Sequence, residues 1–218
     1  MIEIRPGSGR FVTREEGRET FHSFSFGRHY DPVNVGFAAM VALNDENLPP
    51  GTGYDEHPHR DTEIVTLVLA GALRHTDASR STVLSPGTVM RTSAGSGIVH
   101  AERTEPGITT RFLQTWLRPD EPGVPPSLAL SSYDAGPGLS EVGDLGIGTA
   151  GARLYLAQQA TGRLLLPDSP LLHVFVVDGT VDLGDRAAGP GDAARLTEEG
   201  GRAVTVEEPA TLVVWAFG

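Results

Sequence analysis

Tyr54-Asp-Glu-His-Pro-His-Arg-Asp-Thr-Glu-Ile-Val-Thr-Leu-Val-Leu-Ala-Gly71 is the stretch that decides how this chain is read. A lead dense in charge and imidazole runs into an apolar segment of strand length, and a glycine stops it. Val, Ile and Thr suit a pleated, half-buried surface, and Gly punctuates the turn that follows. The same grammar recurs along the chain. Short runs such as Phe21–Phe26, Gly36–Leu43, Glu63–Leu69, Thr88–Thr92, Thr110–Leu117, Leu154–Gln158, Leu171–Val177 and Thr211–Phe217 are separated by turns. With 27 Gly and 16 Pro spread throughout, and no amphipathic stretch of helical period, the class is all-β. A barrel or sandwich is the natural way to bury the strand faces.

Within the opening stretch, His57-Pro58-His59 places two imidazoles at i and i+2. On an extended strand these point to one side. Pro58 donates no backbone hydrogen bond, so it belongs at a strand end, an edge or a bulge. A second step of this kind, His100-Ala101-Glu102, follows the small-residue run Thr92-Ser-Ala-Gly-Ser-Gly-Ile-Val-His100. Such a run lets the backbone approach another group closely. Three imidazoles and one carboxylate from two neighbouring strands make a site for one divalent metal with positions left open. Nitrogen and oxygen donors of this kind favour Fe(II), Mn, Ni, Co, Cu or Zn over Mg or Ca. If zinc took all four ligands the site would be closed and structural. Glu63 lies in phase with His59 and competes with Glu102 for the fourth place. The bland alternative is a solvated loop of charges.

Composition narrows the rest. There is no cysteine, which excludes disulfides, zinc–thiolate sites and thiol nucleophiles. The net charge is −11 and there is no lysine, so Schiff-base chemistry is excluded and a phosphate backbone would be repelled. No apolar run reaches the roughly 18 residues that span a bilayer, and the N-terminus lacks the pattern of a signal peptide. The expectation is a cytoplasmic monomer that binds neither membrane nor nucleic acid. Arg118-Pro-Asp-Glu-Pro-Gly-Val-Pro-Pro126 reads as a linker, giving a first domain over 1–118, a linker over 119–126 and a second domain over 127–218. A strand, Gly71 and then Ser85-Pro86-Gly87 in the first half parallel Val174–Asp178, Gly179 and then Gly189-Pro190-Gly191 in the second, which suggests a duplicated barrel. The second half has one histidine, His173, and no His-x-His.

The pattern Gly51-x5-His57-x-His59-x3-Glu63 resembles the first cupin motif, and Gly97-x2-His100 the second. Gly95 stands where proline is usual, and Thr104 replaces the later Asn. Taken with Phe21-His-Ser-Phe-Ser-Phe-Gly27, Tyr30-Asp-Pro32, Gly36-Phe37, Leu43-Asn-Asp45, Gly71-Ala-Leu-Arg-His75, Ser93–Glu102 and Gln114-Thr-Trp116, the first half resembles the pirin family. These are bicupin proteins related to flavonol-cleaving dioxygenases. The resemblance covers residues 21–118. The second half matches weakly and is shorter than the family leads one to expect.

The resemblance implies two stacked jelly-roll barrels, with His57, His59, His100 and Glu102 holding one metal, commonly iron, in the N-terminal barrel only. Glu102 then takes the fourth place, and Glu63 pairs with an arginine, Arg60 or Arg91. It implies an oxidoreductase like quercetin 2,3-dioxygenase, acting with O2 on a flavonol-like or other enolisable small molecule. Glu102 would serve as ligand and catalytic proton acceptor. The alternative is a non-enzymatic, redox-sensing regulator acting through a protein partner. Among other candidates, His75 is read as exposed, and His22 and His29 as surface or packing residues. Phe24 and Phe26 are read as core. Gln114 is read as the outer partner of a ligand histidine or as part of a packed face with Trp116.

Overall fold

The computed structural model describes residues 1–15, 17–134, 136–143 and 145–218. Nearly all of the regular structure is antiparallel strand. The fold is all-β. Contacts divide it into two compact units, one of residues 11–133 and 144–149, the other of residues 1–10, 134–143 and 150–218. These bounds differ from the sequence division at 119–126. Ser127–Ser132 pairs with Thr88–Ser93, so the segment expected to open the second domain belongs to the first unit. Ile2–Arg5 pairs with Ala193–Thr197 and belongs to the second unit. Neither pairing has a local sequence signal, because both join strands far apart in the chain.

In the first unit, a seven-stranded sheet runs in the order Ser127–Ser132, Thr88–Ser93, Glu63–Ala70, Thr110–Leu117, Met40–Leu48, Arg18–His22 and Phe11–Glu15. A four-stranded sheet runs Gly53–His59, Ile98–Thr104, Leu73–Asp77 and Ser81–Leu84. Leu48, Val68, Met90 and Phe112 of the larger sheet meet Leu73 and Leu84 of the smaller in one core. Alternation does the sorting. Along Ile98–Thr104, His100, Glu102 and Thr104 are buried and Arg103 is exposed. Along Met40–Leu48, Asn44, Glu46 and Leu48 share a face, and along Thr110–Leu117 so do Phe112, Gln114 and Trp116. On Met40–Leu48 and Thr110–Leu117, the face that puts Leu48 and Phe112 into the core also carries Asn44, Glu46, Gln114 and Trp116.

The second unit is built on one sheet. Its main path is Ile2–Arg5, Ala193–Thr197, Leu171–Asp178, Ala203–Phe217, Arg153–Leu165 and Ser140–Glu141. Leu172, Val174, Val176, Leu212 and Val214 are buried together at its centre. Gly71 and Gly179 each follow a strand, at φ +82° and +73°, and a Cβ on either would lie under 3.0 Å from neighbouring backbone. A left-handed turn pressed against the chain admits only glycine. Among the described residues, no helix is long and apolar enough to cross a membrane.

Candidate metal centre

Gly53–His59 and Ile98–Thr104 are antiparallel neighbours, with His57 opposite His100 and His59 opposite Ile98. Gly53–His59 is the edge strand of its sheet, which is where Pro58 can sit without breaking a ladder. A register shift between His100 and Glu102 marks a bulge, a device that re-aims side chains. The small-residue run before His100 packs tightly. Ser96 N donates to Val124 O at 2.8 Å and Ala94 N to Thr62 O at 2.9 Å, and any Cβ on Gly95 would collide with Val124 O.

The imidazoles of His57, His59 and His100 converge, with ring centroids 4.6–4.8 Å apart. His57 Nδ1 donates to Asp55 O at 2.7 Å, because a carbonyl only accepts. That bond leaves His57 Nε2 as a lone pair facing the centre. It lies 3.1 Å from His100 Nε2. Two nitrogens bound at about 2.1 Å to a single ion sit about 3 Å apart, so the spacing fits a shared metal. His59 Nε2 is buried and has no hydrogen-bond partner, a cost that a metal bond removes. Burial holds His59 down at about 4 and His100 at about 3, so both rings are neutral and ligand-competent at physiological pH. These observations fit a divalent cation.

Glu102 is almost wholly buried, and desolvation pushes its carboxyl up from the usual range. Gln114 Nε2 donates to both carboxylate oxygens, at 3.0 and 2.9 Å, and Gln114 Oε1 accepts from Trp116 Nε1 at 2.9 Å. Gln114 therefore steers the carboxylate and not a histidine. Glu102 groups with His75 and His100, and His57, His59 and His100 form the other set of candidate ligands.

His75 departs from the sequence reading. It is fully buried, with Nδ1 3.2 Å from His100 Nδ1 and Nε2 3.4 Å from Asp77 Oδ2. The Nδ1–Nδ1 contact with His75 leaves His100 Nε2 free to face His57 Nε2 at the centre. The clue was present in the sequence, because His75 is two residues from Leu73 on an alternating strand. The pairing of that strand with Ile98–Thr104, which sets His75 opposite Glu102, was not. Glu63 lies away from the centre, buried, with Oε2 3.9 Å from Arg91 Nε.

The centre opens on a cavity of about 380 Å3. His57, His59, Glu102, Gln114 and Trp116 are among the residues that line it. Phe26 and Tyr54 add apolar wall, and Phe26 meets Trp116 edge to face at 5.1 Å. Phe24 is core as expected, whereas Phe26 lines the cavity. His22 is also a lining residue. Its Nδ1 lies 2.9 Å from Asn44 Oδ1 and its Nε2 2.8 Å from Thr13 Oγ1, which in turn meets His29 Nε2 at 3.1 Å.

The sequence profile described as Pirin matches residues 7–117. A Mycobacterium tuberculosis protein, named provisionally as a quercetin 2,3-dioxygenase, is 39% identical over 98% of this chain and 94% of its own. The quercetin 2,3-dioxygenase of Escherichia coli K12 is 30% identical over 91% of each. Among solved structures, the bacterial pirin YhhW from E. coli in complex with nickel(II) aligns with a TM-score of 0.91 at 25% identity. That alignment covers 100% of this chain and 99% of the other. The alignment thus extends through the second half, where the resemblance in sequence is weak.

Proposed function

Because this chain belongs to the pirin family, we propose that it holds one divalent metal, Fe(II), on His57, His59, His100 and Glu102, and oxidises a flavonol-like or other enolisable small molecule with O2. The observation that carries this reading is the buried, unpartnered His59 Nε2 beside the facing nitrogens of His57 and His100, next to a cavity that His57 and His59 line. A cavity of about 380 Å3 falls within the roughly 300–1,000 Å3 typical of small-molecule sites. The bound metal would supply Lewis acidity and a template for substrate and O2.

The protein's own groups do the rest. Glu102, raised by desolvation, is suited to take the proton of the substrate's enolic hydroxyl. Gln114 holds its two oxygens in place while this happens. Asp55 O and His75 keep His57 and His100 in the tautomers that present Nε2. Phe26 and Trp116 cover the site with apolar surface and exclude water, which strengthens each electrostatic contact inside.

The test is oxygen uptake with quercetin by iron-loaded protein, and its loss in His57→Ala. Elemental analysis of the purified protein accompanies it. Absence of uptake with Fe, Ni, Mn, Co, Cu or Zn overturns the reading.

A further inference from the structure

The cavity contains a second carboxyl that the metal centre does not use. Glu46 sits on Met40–Leu48, opposite Thr20 on Arg18–His22. Thr20 Oγ1 donates to Glu46 Oε2 at 2.6 Å, and Tyr54 OH donates to the same oxygen at 2.8 Å. Among the described residues, no protein donor reaches Oε1. The Tyr54 ring is held by the Arg18 guanidinium, 4.6 Å from its centroid. Glu46 is only 4% exposed, yet it lines the cavity together with Thr20, Tyr54 and Glu102.

A buried carboxyl costs several kcal/mol unless its hydrogen-bonding capacity is met. Leu48, two residues along on the same face, shows that this strand accepts an apolar side chain in the core. Packing alone therefore does not account for a carboxyl at position 46. The chemistry does, if Oε1 is the place where a polar group of the bound molecule arrives. Burial is also the largest influence on its protonation, holding it at about 7, so the group can accept or give a proton near neutrality.

We propose that Glu46 is a non-ligating residue that accepts a hydrogen bond from a substrate hydroxyl other than the one that meets the metal centre, so that the cavity selects molecules carrying a second hydroxyl group. One hydroxyl meets Glu102 and the imidazole cluster, and the other meets Glu46. The inference rests on the substrate class proposed above and assigns the residue that discriminates within it.

The experiment compares quercetin with 3-hydroxyflavone, which has the same metal-binding edge and lacks the other hydroxyls. Affinities for nickel-loaded protein are measured by titration calorimetry without oxygen. At a pH above 7, where Glu46 is ionised, a hydrogen bond to the charged acceptor is expected to favour quercetin by about tenfold to a hundredfold in the native protein. Glu46→Gln retains an acceptor for Thr20 and Tyr54. It is expected to erase most of that preference while leaving 3-hydroxyflavone affinity and metal content unchanged. Glu46→Asp keeps the charge and is expected to retain part of the preference, which keeps the test decisive if the Gln variant folds poorly. Three outcomes overturn the proposal: an equal loss for both ligands, an unchanged ratio, and no preference in the native protein. Oxygen uptake is a separate readout. The expected binding pattern without turnover supports the role of Glu46 while overturning the dioxygenase reading.

Discussion

Replacing Gln114 with leucine separates the metal centre from ordinary packing. Gln114 Nε2 donates to both oxygens of Glu102, which is buried and has its carboxyl raised by desolvation. Leucine fills most of the amide's volume, so the dominant change is loss of that hydrogen bond and of the one from Trp116. A hydrogen bond to a charged group contributes about 1.5–3 kcal/mol. Proton uptake by Glu102 limits the loss, because a neutral carboxyl tolerates burial better. The net expectation is about 2 kcal/mol, or about 4–8 °C in Tm for a chain of this size in the metal-free state.

Metal affinity is expected to fall by about 10- to 100-fold, as for other residues that orient a ligand. The two deficits move oppositely with pH. Glu102 in the folded state has a raised pKa, so its contribution to stability is present at low pH and is lost as the carboxyl ionises. Removing Gln114 worsens that loss, and the Tm deficit grows as pH rises. Metal binding requires the ionised carboxylate, so the affinity deficit shrinks over the same range. Calorimetry and chelator competition across a pH series measure both. An affinity within twofold of the native protein, with no pH trend in Tm, refutes the placement of Glu102 at the metal.

His75→Ala removes the partner of His100 Nδ1 and is expected to lower metal affinity about tenfold or more by chelator competition, with His57, His59 and Glu102 unaltered. Gly95→Ala meets both a left-handed φ of +43° and Val124 O, and is expected to cost about 2–3 kcal/mol, read as a lowered Tm. His173, fully buried in the second unit, is lowered from 6.5 to about 3, chiefly by desolvation. The unfolded chain therefore takes up the proton first. The contribution is intact above about 6.5 and falls with acid, by about 2 kcal/mol at pH 5. His173→Leu is expected to flatten that acid limb in denaturant titrations.

The strands were legible because their faces alternate and their turns are spelled in glycine and proline. Thr110–Leu117 was read to the residue, and Glu63–Ala70 and Leu171–Asp178 to within one. The extra length of Arg153–Leu165 and Ala203–Phe217 was not, because long bent strands carry charged, exposed residues that read as loops. His57, His59, His100 and Glu102 were visible as two i, i+2 steps. The tautomer partners Asp55 and His75 were not, since each role depends on what lies across a strand.

By itself the sequence determined the all-β class, the two-residue steps that put His57 with His59 and His100 with Glu102, and the exclusion of thiolate and lysine chemistry. These follow from side-chain identity and a period of two, which are local properties. Only the tertiary structure decided that Ile2–Arg5 joins the second unit, that His75 is buried against His100, and that Glu46 and Glu102 line one cavity. Those facts depend on strand pairing between distant segments, where register, and not composition, fixes which groups meet.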